Sequence, residues 1–377
     1  MDFDLSEEQK LLKQSAHDFL SKECPRELVR KLEAGDEEFP PELWKKMAGL
    51  GWMGLVIPEE YGGSGGSFLD LVMLFEEIGY NICPGPLFSS VVFGSLPILM
   101  AGSSEQKKEF LPGIARGEIT VTMALTEPSA SYDASSIHVK ATAEGDKYTL
   151  SGTKLFVPYA TDADYLLCVA NTGEKKRPEK CISIFIVKNK IPGITITSLT
   201  TLAGDRQCEV VFDDVTVAKT GILGTRDKGW PIVEAILGNA SLVSCAEMIG
   251  GAQAVMDMSL QYARERTQFN RPIGSFQVIQ NYFADMWTDI NAARYLFHKA
   301  AWKISEGIDA GMDVAMAKSR VGEAYRRVTT LGHQIFGGIG FTKEHDMHLF
   351  HERSITGDLN LGQGAFHRER IARHLGL

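Results

Sequence analysis

The period of the apolar residues changes twice along this chain, and that order constrains the fold more than any single motif. Up to about residue 118 the pattern is helical. Leu5, Leu11, Leu12, Ala16, Phe19 and Leu20 recur at steps near three and four, and Ser6 with Gln9 has the form of a capping box. A second apolar helix is expected from Leu69 to Tyr80, after a loop from Ile57 to Gly66 that Pro58 and Gly62, Gly63, Gly65 and Gly66 keep from being helical. From Ile119 to Leu223 short runs rich in Val, Ile, Thr, Tyr and Phe take over: Ile137–Ala141, Tyr148–Ser151, Asp164–Ala170, Ile182–Val187, Ile194–Leu199 and Cys208–Phe212. Glu144, Gly145 and Asp146 suit a hairpin turn between the first two, and Gly173 to Lys180 suits a mobile loop. Beyond Gly229 long helical patterns return, over Ala246–Glu265 and Phe276–Gly307, with a glycine break at Gly337, Gly338 and Gly340 after Leu331–Phe336. The expected architecture is α+β and multidomain: a helical N-terminal domain (1–118), a central antiparallel β-barrel or sandwich domain (119–224) and a C-terminal helical bundle (225–377).

Composition narrows the function classes. The chain has 377 residues, long enough for two or three domains, and 39 Lys and Arg against 48 Asp and Glu, a net charge of −9. An acidic balance argues against nucleic acid as a partner. No membrane span is expected, since apolar runs such as Leu87–Met100 are interrupted by Ser and Gly and fall short of about 18 residues. Asp2, Asp4, Glu7 and Glu8 follow Met1 where a signal peptide would carry positive charge. Cys24, Cys83, Cys168, Cys181, Cys208 and Cys245 are scattered without zinc spacing and read as reduced thiols of a cytoplasmic protein. His345, His348 and His351 lie three apart and read as a solvated helix face, so no metal is expected.

Five short segments carry a resemblance. Pro58-Glu59-Glu60-Tyr61-Gly62-Gly63, Leu125-Thr126-Glu127-Pro128, Ser151-Gly152-Thr153-Lys154, Arg266-Thr267-Gln268-Phe269 with Pro272-Ile273-Gly274 and Gln277, and Gln334-Ile335-Phe336-Gly337-Gly338 occur in this order on the helical, β, helical plan. The whole chain resembles the acyl-CoA dehydrogenase family of flavoproteins. The resemblance implies a C-terminal four-helix bundle, a tetramer, an acyl-CoA substrate, an electron-transferring flavoprotein as acceptor, and FAD lying between domains and across a subunit boundary. Thr126 and its main chain would serve the flavin's pyrimidine edge, and Phe156 would shield a flavin face. Arg266 would neutralise the pyrophosphate, Phe269 would pack on the adenosine, and Gly337 and Gly338 would let main chain approach a phosphate, with Gln277 and Gln334 assisting at the neighbouring subunit's FAD. Taken alone, Arg266 reads rather as a surface residue and Gly337-Gly338 as a helix end.

The same resemblance exposes departures. Oxidation across the α and β carbons needs a carboxylate to take the α-proton. Aligned from Arg353, the place of the family's Glu holds Gly362, and the other place used by relatives falls at Ala240 or Ser241. Pro158 stands where a Thr hydroxyl would meet the flavin, Gly364 and Phe366 stand where polar residues would meet the subunit's own ADP moiety, and Gly238-Asn239-Ala240-Ser241 lacks the Asp and Arg that would hold CoA. Three readings remain open. The chain is the base-less subunit of a heteromeric acyl-CoA dehydrogenase, a stand-alone flavoenzyme with another base (Glu247, Asp358 or Glu77) or elimination chemistry, or a non-catalytic relative that keeps the fold.

Overall fold

In the computed structural model, residues 5–35, 39–173 and 177–377 are described. The acidic start at Met1 to Asp4 and the centre of the expected mobile loop, residues 174–176, lie outside them. Helices α1 (Glu7–Glu23), α2 (Arg26–Ala34), α3 (Pro41–Gly49), α4 (Phe68–Tyr80), α5 (Leu96–Ala101) and α6 (Ser104–Ala115) come first. Strands follow: β1 (Val121–Ala124), β2 (Lys140–Glu144), β3 (Lys147–Pro158), β4 (Tyr165–Asn171), β5 (Ile182–Lys188), β6 (Ile194–Leu199), β7 (Gln207–Ala218) and β8 (Ile222–Leu223). Then come α7 (Trp230–Glu265), the ribbon β9 (Thr267–Gln268) and β10 (Arg271–Pro272), and α8 (Gln277–Ser305), α9 (Gly311–Phe336), α10 (Met347–Leu359) and α11 (Gly364–His374). The described chain forms two compact units, one of residues 5–35, 67–84 and 241–377 and the other of 39–66 and 85–240.

The first unit is helical. Ser6 caps α1 as expected, its hydroxyl accepting from the Gln9 N–H while the Gln9 side chain accepts from the Ser6 N–H. Ser67 and Asp70 make the same box on α4, whose residues Leu71 to Gly79 are buried. Helices α4 and α7 touch backbone to backbone: a Cβ on Gly79 would lie 2.0 Å from the Glu247 carbonyl oxygen, and one on Gly250 would lie 1.8 Å from that of Glu76. Asp289 of α8 accepts from Arg320 and Arg327 of α9, while α10 is tied to α2 through Arg353 and Glu33 (2.6 Å).

The second unit is built on one sheet of order β6-β7-β3-β2-β4-β5-β8, with β1 added to β4. Most pairings are antiparallel as expected, but β4 runs parallel to both β1 and β2, and β6 and β8 do not pair with each other among the described residues. The result is a mixed sheet whose strands share one core. The expected hairpin joins β2 to β3, with Glu144 opposite Lys147 and Gly145 at φ +61°. Its inner face packs Val139, Leu150, Val157, Leu166, Phe185, Val210 and Phe212 into one core.

One helix is apolar enough by length and composition to cross a membrane: α7 contains an 18-residue window of mean hydropathy 1.5, although Gly, Ser and Asn are scattered through it. Two thirds of that window (67%) is buried inside the protein, the profile of a core helix. The histidines do not form a solvated face. His345 precedes α10, all three are half-buried, and the His351 ring packs 4.8 Å from that of His333.

Candidate functional site

The residues expected at the flavin edge lie together where β1 ends beside β3. Leu125 and Glu127 point into the protein and are 8% and 2% exposed, whereas Thr126 between them is only half-buried. The Thr126 carbonyl accepts from the Leu155 N–H at 2.8 Å, and its own N–H and hydroxyl have no partner among the described residues. Beneath this turn Lys154, fully buried, donates from Nζ to the Leu125 carbonyl (3.0 Å) and to Glu127 Oε1 (2.8 Å). Phe156 sits in the bulge between Lys154 and Val157 at φ +54°, which turns its ring outward to 51% exposure. Pro158 ends β3 and its carbonyl accepts from the Thr122 hydroxyl at 2.8 Å, so it offers an outside ligand no hydrogen bond of its own.

A second group gathers at one end of the helical unit. The Tyr262 and Phe336 rings, 4.8 Å apart, bring the last turn of α7 against the last turn of α9. Arg266 follows α7 and makes no side-chain hydrogen bond or ion pair among the described residues, while its carbonyl accepts from the Ile273 N–H (2.8 Å) to close the β9–β10 ribbon. Phe269 and Asn270 form the ribbon's two-residue turn at φ +52° and +62°, and Phe269 is left 86% exposed, 6.2 Å from Phe276. Gln277 opens α8 and Gln334 lies in the last turn of α9, both exposed. Gly337, at φ +63° and ψ −141°, ends α9 in a conformation only glycine adopts readily, and a Cβ on Gly337 or Gly338 would meet nothing within 4 Å. An unpaired cation, an uncovered aromatic ring, two free amides and bare main chain make an open surface suited to a pyrophosphate with an attached planar base.

Three family models tile the chain: acyl-CoA dehydrogenase N-terminal domain over residues 6–118, middle domain over 122–215 and C-terminal domain over 227–376. The chain belongs to the acyl-CoA dehydrogenase family. It is 35% identical to a probable acyl-CoA dehydrogenase of Bacillus subtilis (strain 168), covering 100% of both chains. A caffeyl-CoA reductase–Etf complex subunit of Acetobacterium woodii is 33% identical, over 90% of this chain and 90% of its own. Among solved structures, butyryl-CoA dehydrogenase from Megasphaera elsdenii superposes with a TM-score of 0.94 at 30% identity, covering 100% of each.

Within this acyl-CoA dehydrogenase chain, the positions aligned with the family's base are closed. Gly362 adopts φ +93°, and a Cβ on it would lie 2.3 Å from Phe366 Cδ1, so the ring of Phe366 fills the space a Glu side chain would need. The carbonyls before it are engaged, those of Gly357 and Asp358 in the last turn of α10 accepting from the buried Lys318 Nζ at 2.7 and 3.2 Å and that of Leu361 accepting from His367 Nε2 at 3.0 Å. Burial and the nearby Lys318 push His367 down to about 4, so the ring is neutral at pH 7. At the other position, Ala240 and Ser241 are both buried.

Two of the carboxylates considered as substitutes are engaged in ion pairs. Glu77 is held by His17 (3.0 Å) and Lys13 (3.4 Å). Asp358 pairs with Arg326 at 3.3 Å and packs on Gly322. Glu247 is half-buried and its main chain presses on Gly79. Sequence reasoning assigned no role to Lys154 and Glu127, although Tyr148, Leu150, Gly152 and Lys154 share one face by strand alternation, an inward lysine that calls for a buried partner.

Proposed function

We propose that this chain is the base-less subunit of a heteromeric FAD-dependent acyl-CoA dehydrogenase. Its work is to complete the FAD site of a related subunit that carries the catalytic Glu, in a tetramer. The carrying observation is the contrast within one helical unit, where Phe366 occupies the base position while Arg266, Phe269, Gln277, Gln334, Gly337 and Gly338 stand open. When bound, FAD supplies the acceptor for the hydride that leaves the acyl β carbon. The residues of this chain bind and orient: Arg266 neutralises pyrophosphate charge, Phe269 covers the adenosine, the two Gln amides donate hydrogen bonds, and the glycine pair permits close main-chain approach. The relative named as part of an Etf complex supports an electron-transferring flavoprotein as acceptor. The described cysteines form no disulfide with one another, which supports a reducing, cytoplasmic setting.

The test is a visible spectrum of the chain purified alone and co-purified with a related subunit, each followed by acyl-CoA. Flavin that bleaches only in the complex, and that is lost from it with Arg266→Ala here, is the expected result. A yellow protein alone that bleaches with acyl-CoA at a normal rate would sink the proposal.

A further inference from the structure

The structure assigns to the buried pair Lys154 and Glu127 the positioning of Thr126: together they hold its turn so that the Thr126 N–H and hydroxyl face outward as one donor pair for the pyrimidine edge of a flavin. This rests on the reading of Thr126 as a flavin contact. The argument begins with planarity. Lys154 Nζ draws the Leu125 carbonyl inward at 3.0 Å, and a trans peptide then points the Thr126 N–H the opposite way. On the other side of Thr126, Glu127 is fixed from three directions, its Oε1 accepting from Lys154 Nζ (2.8 Å) and the Val139 N–H (3.0 Å) and its Oε2 from the His138 N–H (2.7 Å). Both neighbours of Thr126 are therefore anchored to one ammonium group, and the Thr126 carbonyl is spent on Leu155. What remains unspent on Thr126 is two donors, and both lie outside the anchored side.

The burial of the pair suits a fixed support. Neither residue is reached by water, at 0% and 2% exposure, and the neighbouring Cys168 thiol is pushed up to about 12 by burial, so no thiolate competes for the ammonium. A purely apolar filling of the same space would serve stability as well or better. The distinctive contribution of Lys154 is its second hydrogen bond, to Leu125, which an apolar side chain cannot make.

The experiment uses the flavin-loaded protein, alone or in its complex, stripped and titrated with FAD. The neutral variant Lys154→Met/Glu127→Gln removes both charges, and Thr126→Val removes the hydroxyl. We expect the neutral pair to keep the far-ultraviolet dichroism and melting temperature near wild type, to weaken FAD about tenfold or more, and to shift the flavin midpoint potential. Thr126→Val should add little in that background although it weakens FAD in the wild type, since the two act on one contact. A neutral pair that lowers the melting temperature but leaves FAD affinity and potential unchanged, while Thr126→Val alters them, makes the pair structural only and overturns the assignment. Flavin indifferent to both changes removes the reading of Thr126, and the assignment with it. Fully additive losses overturn positioning through Thr126 specifically.

Discussion

Glu76 is the residue at which burial and charge compete most openly. It is 4% exposed, yet Lys13 Nζ and Arg294 Nε each approach its carboxylate to 2.9 Å and His298 Nε2 to 3.7 Å, beside a cavity of about 280 Å3 shared with Tyr80, Gln253 and Asp257. Burial alone would raise its pKa; Lys13, His298 and Arg294 outweigh it and hold the carboxyl well below the ordinary carboxylate range. A depressed folded-state value means that the pair's stabilisation is complete above the unfolded-state value near 4.5 and drains away as pH falls below it. Urea midpoints should therefore drop between pH 5 and pH 3, and Glu76→Gln should remove much of that drop. At pH 7 the same change leaves Lys13 and Arg294 facing a neutral amide, at a cost of about 3–5 kcal/mol. A pH profile unaltered by Glu76→Gln would refute this account of the network.

At the scale of elements, close approach of α4 and α7 decides how the helical unit packs. Gly250→Ala places a methyl group 1.8 Å from the Glu76 carbonyl oxygen, and since the obstacle is backbone on a long helix it cannot swing aside. The expected loss is about 1–3 kcal/mol or more, seen as a lowered urea midpoint at unchanged slope, whereas Gly238→Ala, with nothing within 4 Å of the new Cβ, should be neutral or stabilising. These crossings also mark what was legible in the sequence. Strand β6 was read to its ends because Ile194 and Ile196 alternate with Thr195 and Thr197 and the pairing with β7 is uninterrupted. Strands β3 and β7 were read as less than half their length, because Gly152, Lys154 and the register shifts of their pairing break the apolar alternation where the ladder continues. Helix α7 was read only from Ala246, since Pro231, Gly238 and Asn239 look like breakers, although Pro231 falls in the first turn, where a helix tolerates proline. The open cofactor-facing surface was readable as local motifs, each a run of adjacent residues. The Lys154–Glu127 pair was not, because only strand register brings together residues 27 positions apart.

For the molecule as a whole, the question is whether restoring one carboxylate would make the chain self-sufficient. Gly362→Glu asks an ordinary residue to hold φ +93°, a strain of about 1–2 kcal/mol, and drives its Cβ into Phe366. Adding Phe366→Ala opens the space without relieving the backbone. Even then Lys318 and His367 keep the carbonyls of Gly357 and Leu361 engaged, Pro158 offers the flavin no donor, and Gly238-Asn239-Ala240-Ser241 lacks the Asp and Arg that would hold CoA. Catalysis needs base, flavin and thioester held together, and a single group restored without the others contributes little because their effects are not additive. Both Gly362→Glu and Gly362→Glu/Phe366→Ala should therefore fail to bleach flavin with any acyl-CoA when purified alone. In complex with the base-bearing subunit the same variants should leave turnover near wild type, because the surface this chain lends, from Arg266 to Gly338, is untouched by either change. Turnover by Gly362→Glu alone, followed at the flavin absorbance after acyl-CoA is added, would show that only the base was missing and that this chain is a complete enzyme short of one residue.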